Sequence, residues 1–298
     1  MACLHSEGVA MRIANYVIII ILAFLAGISG AYVWTSSHGQ QVEPRETAFD
    51  RVMRTQTLRC GYAVWSPVLT KDANTGKIGG IAYDIIEALG KKLNLKIDWA
   101  EEASWGSIVE GLATNRYDAI CVNIMSNSAR VRAMDFTTPV LFGVEYMLVR
   151  DDDRRFAHNN DLNSPNYTTA FLEGEAASFV AQQKYPQANF KSLPQGADYA
   201  VTFLELETKK VDAAIMELST FREYEKSNPG KLKILDKLDP VLIARAGYGV
   251  PKGDIKLKTI MDVALEELED DGTIDRAIRD HAAAGSFLTP IKPYQISN

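Results

Sequence analysis

The chain has 298 residues, 47% of them apolar and 23% charged, which is globular composition with core enough for one large or two mid-sized lobes. A net charge of −6 carries no basic footprint and excludes nucleic acid as an expected partner. There is no Cys-x-x-Cys pair, no Cys/His cluster and no Gly-rich phosphate loop, so no metal or other cofactor is expected.

In chain order, Val17 to Val33 is an uncharged, mostly apolar run. It is long for a signal-peptide core and at the short limit for a membrane span. Residues 1–45 therefore read as a signal peptide or a membrane anchor, followed by a polar linker over 35–45. Cleaved signal and retained anchor both stay open, and either sends the rest of the chain across a membrane. Cys3 precedes the apolar run and no Leu-x-x-Cys lipobox occurs near the start, which excludes a lipoprotein cysteine.

Ala48 to Met53 reads as a short helix, and Leu58 to Tyr62 as a first strand ending in a loop with Trp65, Ser66 and Pro67. Asp84 to Leu93 carries Ile85, Leu89 and Leu93 at helical spacing, with Asp84 as the expected cap. Leu95 to Trp99 is a second strand. Trp105, Ile108 and Leu112 mark a second helix, and Tyr117 to Val122 is a strand apolar enough to be buried on both faces. Strand–helix–strand–helix–strand predicts a parallel sheet. The same order recurs as Tyr167 to Leu172, Gly174 to Tyr185, Phe190 to Leu193, Ala200 to Lys209 and Val211 to Met216. Val263, Ala264 and Leu268 lie on a late helix that stops at Gly272, and Ile274 and Ile278 continue a last one.

Several motifs stand in a recognisable order. They are Leu58-Arg59-Cys60-Gly61, Trp65-Ser66-Pro67, the segment from Gly76 to Asp84, Arg116-Tyr117-Asp118-Ala119, Arg130 five residues before Asp135-Phe136, Lys210-Val211-Asp212-Ala213-Ala214, and Gly247-Tyr248-Gly249-Val250 with Asp271-Gly272-Thr273. Together they resemble the bacterial extracellular solute-binding proteins of family 3, the receptors of amino-acid ABC importers, over about Phe49 to His281. The resemblance implies a periplasmic-binding-protein-like α/β fold of two lobes with a ligand cleft between them. Lobe 1 would comprise 46–147 and 247–298, and lobe 2 would comprise 148–246, with hinges near Leu148 and Gly247. The implied function is an extracytoplasmic, non-enzymatic receptor. It would capture an amino acid or a similar small carboxylated solute, deliver it to an ABC transporter permease, and contact the membrane through its N-terminal segment.

By family position, Arg130 grips the ligand's carboxylate with its rigid fork of donors, Trp65 stacks on the ligand, and Glu217 meets its ammonium. Trp65 also suits a core plug, and Glu217 a surface helix start. Asn123 and Met125 stand at strand ends where Ser or Gly is usual. Glu175 replaces a hydroxyl donor after Gly174, and Glu102 falls where an aromatic is common. This surplus of carboxylates points to a ligand with a positive group, or else to acidic residues facing solvent. Cys60 and Cys121 lie on strands that the resemblance makes neighbours, so they are two buried thiols or a disulfide. Two alternatives remain. One is a dehydratase of cyclohexadienyl or arogenate type, with Glu175 or Glu217 as the acid. The other is a membrane-tethered ligand sensor acting through a separate partner.

Overall fold

The computed structural model describes residues 17, 20–26, 46–194, 198–282 and 287. The signal and anchor readings fall mostly outside that set. Residues 20–26 are helical with exposed side chains, and among the described residues no helix is long and apolar enough to cross a membrane.

From Thr47 onward the elements run α1 (Ala48–Thr55), β1 (Thr57–Tyr62), β2 (Thr70–Lys71), β3 (Ile78–Gly79), α2 (Ile81–Leu93), β4 (Lys96–Glu102), α3 (Ile108–Ala113), β5 (Ala119–Met125), a 3-10 turn at Arg130–Arg132, β6 (Met134–Phe136) and β7 (Leu141–Arg150). A second 3-10 turn at Asn159–Leu162 leads into β8 (Thr168–Leu172), α4 (Ala176–Lys184), β9 (Asn189–Leu193), α5 (Tyr199–Glu207), β10 (Ala213–Glu217), α6 (Leu218–Ser227), β11 (Leu232–Ile234) and β12 (Leu242–Pro251). The long α7 (Ile255–Asp270) and α8 (Thr273–His281) complete the described fold.

The main sheet has the order β4-β1-β5-β12-β7-β10-β8-β9. Read inward from either end it shows one plan: second strand, first strand, third strand, then a long crossover strand. Pairing is parallel at β1–β4, β1–β5, β8–β9 and β8–β10, as the repeated strand–helix order predicts. The crossover strands β7 and β12 run antiparallel to their neighbours and to each other, so the sheet is mixed rather than wholly parallel. Their pairing, from Leu242 opposite Glu145 to Ala246 opposite Leu141, carries one hydrogen-bonded ladder through both lobes.

Each lobe has its own core. One cluster draws on residues 48–141 and 244–287. In it, Ile81, Ile85, Ile86 and Leu89 form the fully buried stripe of α2, against a β5 buried at every position. The other lobe has two clusters, one on each face of its sheet. Ala214 and Met216 of β10 face one of them while Ala213 and Ile215 face the other, the period-two alternation of a strand covered on both sides.

A matching polar device sits at the start of each lobe's third strand. Asp118 donates its backbone N–H to Arg59 O (2.8 Å) and accepts from Arg59 N (2.9 Å). Asp212 does the same with Thr168, at 2.8 and 2.9 Å. Arginines add charge-assisted bonds to both, from Arg59 Nη2 to Asp118 (3.1 Å) and from Arg155 Nη2 to Asp212 (2.8 Å). The recurring x-Asp-Ala motif thus fixes strand register in both lobes.

Two sequence expectations are corrected. Asp84 does not cap α2: Gly80 occupies the N-cap, and Asp84 sits in the first turn, where it meets His281 Nε2 at 2.6 Å. Trp105 lies in a turn ahead of α3, which begins only at Ile108. The open cysteine question resolves as a disulfide: Cys60 of β1 and Cys121 of β5 are bonded, with Cα atoms 5.3 Å apart, inside the usual window of about 4.4–6.8 Å. The bridge closes a loop of 61 residues within the first lobe. Reduction, or the double change Cys60→Ser with Cys121→Ser, should cost about 2–4 kcal/mol of stability, read as a lower urea midpoint. An unchanged midpoint would remove the bridge's stabilising role.

Candidate functional site

Where the two lobes meet, Trp65, Trp105, Asn123, Met125, Arg130, Glu145, Glu175, Tyr199 and Glu217 line one cavity. Its volume is about 350 Å³. A site this tight suits a small solute.

Arg130 opens the 3-10 turn after β5 and is buried, whereas its neighbour Arg132 is exposed. Asn127 Oδ1 accepts from Arg130 N (2.8 Å) and holds the turn. The guanidinium spans the cleft: Nη1 donates to Met125 O at 2.8 Å, and Nη2 donates to Gly174 O of the other lobe at 2.7 Å. Burial lowers its pKa to about 10, opposed by Glu175, Tyr199 and Glu145, and it stays cationic at neutral pH. Gly174 is required by geometry. Its φ is +85°, and a Cβ there would come within 3.2 Å of Gly106 N across the cleft.

Two of the three helices that begin at this wall of the second lobe have a glutamate at the N-cap, Glu175 for α4 and Glu217 for α6; α5, which starts at Tyr199, has Asp198. A helix N-terminus carries partial positive charge and attracts anions. Glu217 fills that role internally: Oε2 accepts from Ser219 N (2.6 Å), Thr220 N (3.2 Å) and the Ser219 hydroxyl. Burial raises the Glu217 carboxyl to about 7 against those hydrogen bonds. Burial likewise raises Glu175 to about 7, opposed by the Tyr199 hydroxyl and Arg130. Glu145, in the middle of crossover strand β7, is pushed well above the usual carboxylate range by burial and by the charges of Glu175 and Glu217.

The remaining walls are aromatic and amide. Trp65 is nearly inaccessible and packs edge-to-face on Trp105, with ring centroids 6.0 Å apart. Trp65 Nε1 donates to Thr220 Oγ1 (3.2 Å), and Trp105 Nε1 donates to the Tyr199 hydroxyl (3.1 Å). Together with Arg130 to Gly174 these are three hydrogen bonds across the cleft. Asn123 is fully buried on β5, with its amide beside the buried Tyr248 hydroxyl. Among the described residues no group of His, Cys, Asp and Glu is placed to hold a metal ion.

Of the residues singled out from the sequence, Arg130, Trp65, Glu217, Glu175, Asn123 and Met125 converge on this cavity. Glu102 does not. It lies outside, half-exposed, and takes an ion pair from Lys71 at 2.6 Å, because β4 is an edge strand whose alternate residues face solvent. Trp105, Tyr199 and Glu145 were missed. Glu145 had a signal: it is the lone charge in the apolar run Leu141 to Val149, and a buried charge in a strand asks for a partner.

The raised carboxyls predict how stability depends on pH. Below about pH 4.5 each is protonated in both folded and unfolded chains. Above about 7, Glu175 and Glu217 are ionised in both. In between, the folded state holds protons that the unfolded state has released, so the ligand-free protein should lose stability as pH rises through that window. Urea unfolding across it should show a loss on the order of a few kcal/mol. A flat or rising profile would contradict the buried placement of these groups.

Comparison with known proteins agrees with this architecture. The model of bacterial extracellular solute-binding proteins, family 3, matches residues 58–283. A protein of Haemophilus influenzae (strain ATCC 51907 / DSM 11121 / KW20 / Rd) named "Probable amino-acid ABC transporter-binding protein" is 25% identical over 260 residues, covering 85% of this chain and 93% of its own length. The crystal structure of the ancestral amino acid-binding protein AncCDT-1, a precursor of cyclohexadienyl dehydratase, matches with TM-score 0.68 at 24% identity, covering 80% of this chain and all of that one. An ancestral arginine-binding protein bound to arginine matches with TM-score 0.66 at 23% identity, covering 76% and 98%. At these identities the solved structures support the fold. The family model spans the chain from its first strand to the end of its last described helix, and the protein belongs to the bacterial extracellular solute-binding proteins of family 3.

Proposed function

We propose that the protein is the receptor of an amino-acid ABC importer and that its ligand carries a positive group beyond its α-ammonium. One observation carries this reading: a single buried guanidinium faces two buried carboxyls, Glu145 and Glu217, and the half-buried Glu175 in one cavity. A zwitterionic amino acid brings one charge of each sign. Its carboxylate is matched by Arg130 with help from Asn123 Nδ2, and its ammonium by Glu217. Glu145 and Glu175 then remain, and a second cation on the ligand offsets their field in a site that excludes water. Trp65, Trp105 and Tyr199 supply apolar faces for the aliphatic stem. The arginine bound by one ancestral structural neighbour fits this charge pattern.

In the same reading residues 1–45 direct export and the receptor meets its permease outside the cytoplasm. Residues 46–147 with 247–298 and residues 148–246 move as two bodies about the paired crossover strands. Ligand addition should then compact the protein in solution scattering; an unchanged radius of gyration with a bound ligand would remove the hinge.

A thermal-shift panel of amino acids, polyamines and small organic acids tests the ligand class. A ligand at 100 times its dissociation constant stabilises by about 2.7 kcal/mol, a readable shift. Arginine or lysine should bind much more tightly than glutamate, and a glutamate affinity equal to theirs would end the charge reading. Arg130→Ala should cost about 3–5 kcal/mol of affinity with the fold intact, whereas Arg132→Ala should do little. Equal small effects would strip Arg130 of its role.

A second reading, a dehydratase, is favoured by Glu175 and Glu217 retaining protons near neutral pH, as a general acid must. Turnover of prephenate or arogenate by the purified protein would establish it over the receptor reading.

A further inference from the structure

Glu145 belongs to none of the motifs that carry the family resemblance, yet it occupies the centre of the molecule. It lies on β7 between β10 and β12, paired in register with Glu217 on one side and Leu242 on the other. Residues directly opposite on antiparallel strands present their side chains to the same face, with Cβ atoms about 4.5–5.5 Å apart. Glu145 and Glu217 are each only 4% exposed, and both line the cavity. Gly143, two residues earlier on the same face, keeps the approach open. A Cβ there would fall 2.1 Å from Met125 Cε and 3.8 Å from Glu217 Cγ. Oε2 of Glu217 is committed to the N-terminus of α6, and the same carboxyl lies within reach of the Val144 backbone of β7, next to Glu145.

We propose that Glu145 and Glu217 form one cation-binding dyad, which takes a ligand ammonium group between its carboxyls in exchange for a shared proton. This rests on the amino-acid reading above and adds to it a second ammonium ligand and a proton exchanged on binding. Two carboxyls this close in a site that excludes water do not both ionise on their own; one proton held between them halves the charge. The groups that face the pair from other elements are Arg130 on the turn after β5, Glu175 at the start of α4 and Tyr199 at the start of α5. Arg130 favours ionisation of Glu145, while Glu175 and Glu217 oppose it more strongly. The exchange balances. Above about pH 7 and before binding, Glu217 has released its proton, Glu145 is held further up, and the dyad carries one proton and one negative charge. The ligand enters as R–NH3+ and keeps its three protons. The dyad's proton leaves to solvent, and the complex holds two carboxylates around one ammonium, so one positive charge has replaced another.

The test is isothermal titration calorimetry of the whole protein with L-arginine and L-lysine near pH 8, above the range in which Glu175 and Glu217 give up their own protons, in buffers of different ionisation enthalpy. For the wild type the observed enthalpy should vary with the buffer and report release of about one proton per ligand. Glu145→Gln keeps the shape of the side chain and removes its charge. It should weaken binding at least tenfold and bring proton release close to zero, while Glu102→Gln, at the exposed ion pair, should leave both unchanged. A merely structural role for Glu145 would weaken binding without changing proton release. In the ligand-free protein, Glu145→Gln should also flatten the loss of stability between about pH 4.5 and 7. Buffer-independent heats in a wild type that binds, or unchanged proton release in Glu145→Gln, would overturn the dyad and leave the amino-acid reading standing. No heat from either amino acid would overturn that reading and the dyad's role in binding together.

Discussion

A buried guanidinium constrains everything around it. It stays charged, and its donors lie in one plane at fixed angles, so acceptors must come to it. Arg130 draws one from each lobe, Met125 O at the end of β5 and Gly174 O in the turn before α4. The second contact holds only if the two backbones approach closely. That is why a glycine with positive φ stands beside Gly106 and why no larger residue fits there. The indole bonds from Trp65 to Thr220 and from Trp105 to Tyr199 add two neutral contacts across the same gap.

The facing wall has the opposite character. Helix N-termini commonly bind anions, and here α4, α5 and α6 all begin at the cavity. Glu217 caps α6 with its own carboxyl, so that positive end is answered from within the chain, while the Glu175 side chain at the start of α4 meets Tyr199 and Arg130. The wall thereby presents carboxyls rather than free helix N-termini to the cavity. Glu145, delivered by a crossover strand that belongs to both lobes, adds a third carboxyl at the point where motion between the lobes would be felt. Three carboxyls and one guanidinium thus meet within one small volume.

The disulfide and the two Asp–backbone clamps serve that arrangement from a distance. The Cys60–Cys121 bridge ties the strand that leads to the Trp65 loop to the strand that carries Asn123, Met125 and the Arg130 turn. Asp118 and Asp212 fix the register of each lobe's inner strands. A one-residue slip in β5 or β10 would turn Asn123 or Glu217 away from the cavity, because strand side chains alternate faces.

Much of this was legible in the order of residues. Period-two and helical patterns placed most elements within a few positions, since apolar periodicity reports which face is buried. The repeated strand–helix order implied two similar lobes, and the motif around Arg130 marked the principal cation. The tertiary structure alone decided the rest. Trp105 and Tyr199 look like ordinary aromatics at helix starts, and only the meeting of two lobes makes them a pair. Glu102 and Glu175 are equally acidic in sequence, yet one sits on an edge strand beside Lys71 and the other faces a buried arginine. Whether two cysteines bond depends on the separation of their Cα atoms, which no spacing along the chain fixes. Composition and periodicity are local properties of the chain. A charge's partner and its burial are set by strands, helices and loops as many as 197 residues away, and these come together only in the folded molecule.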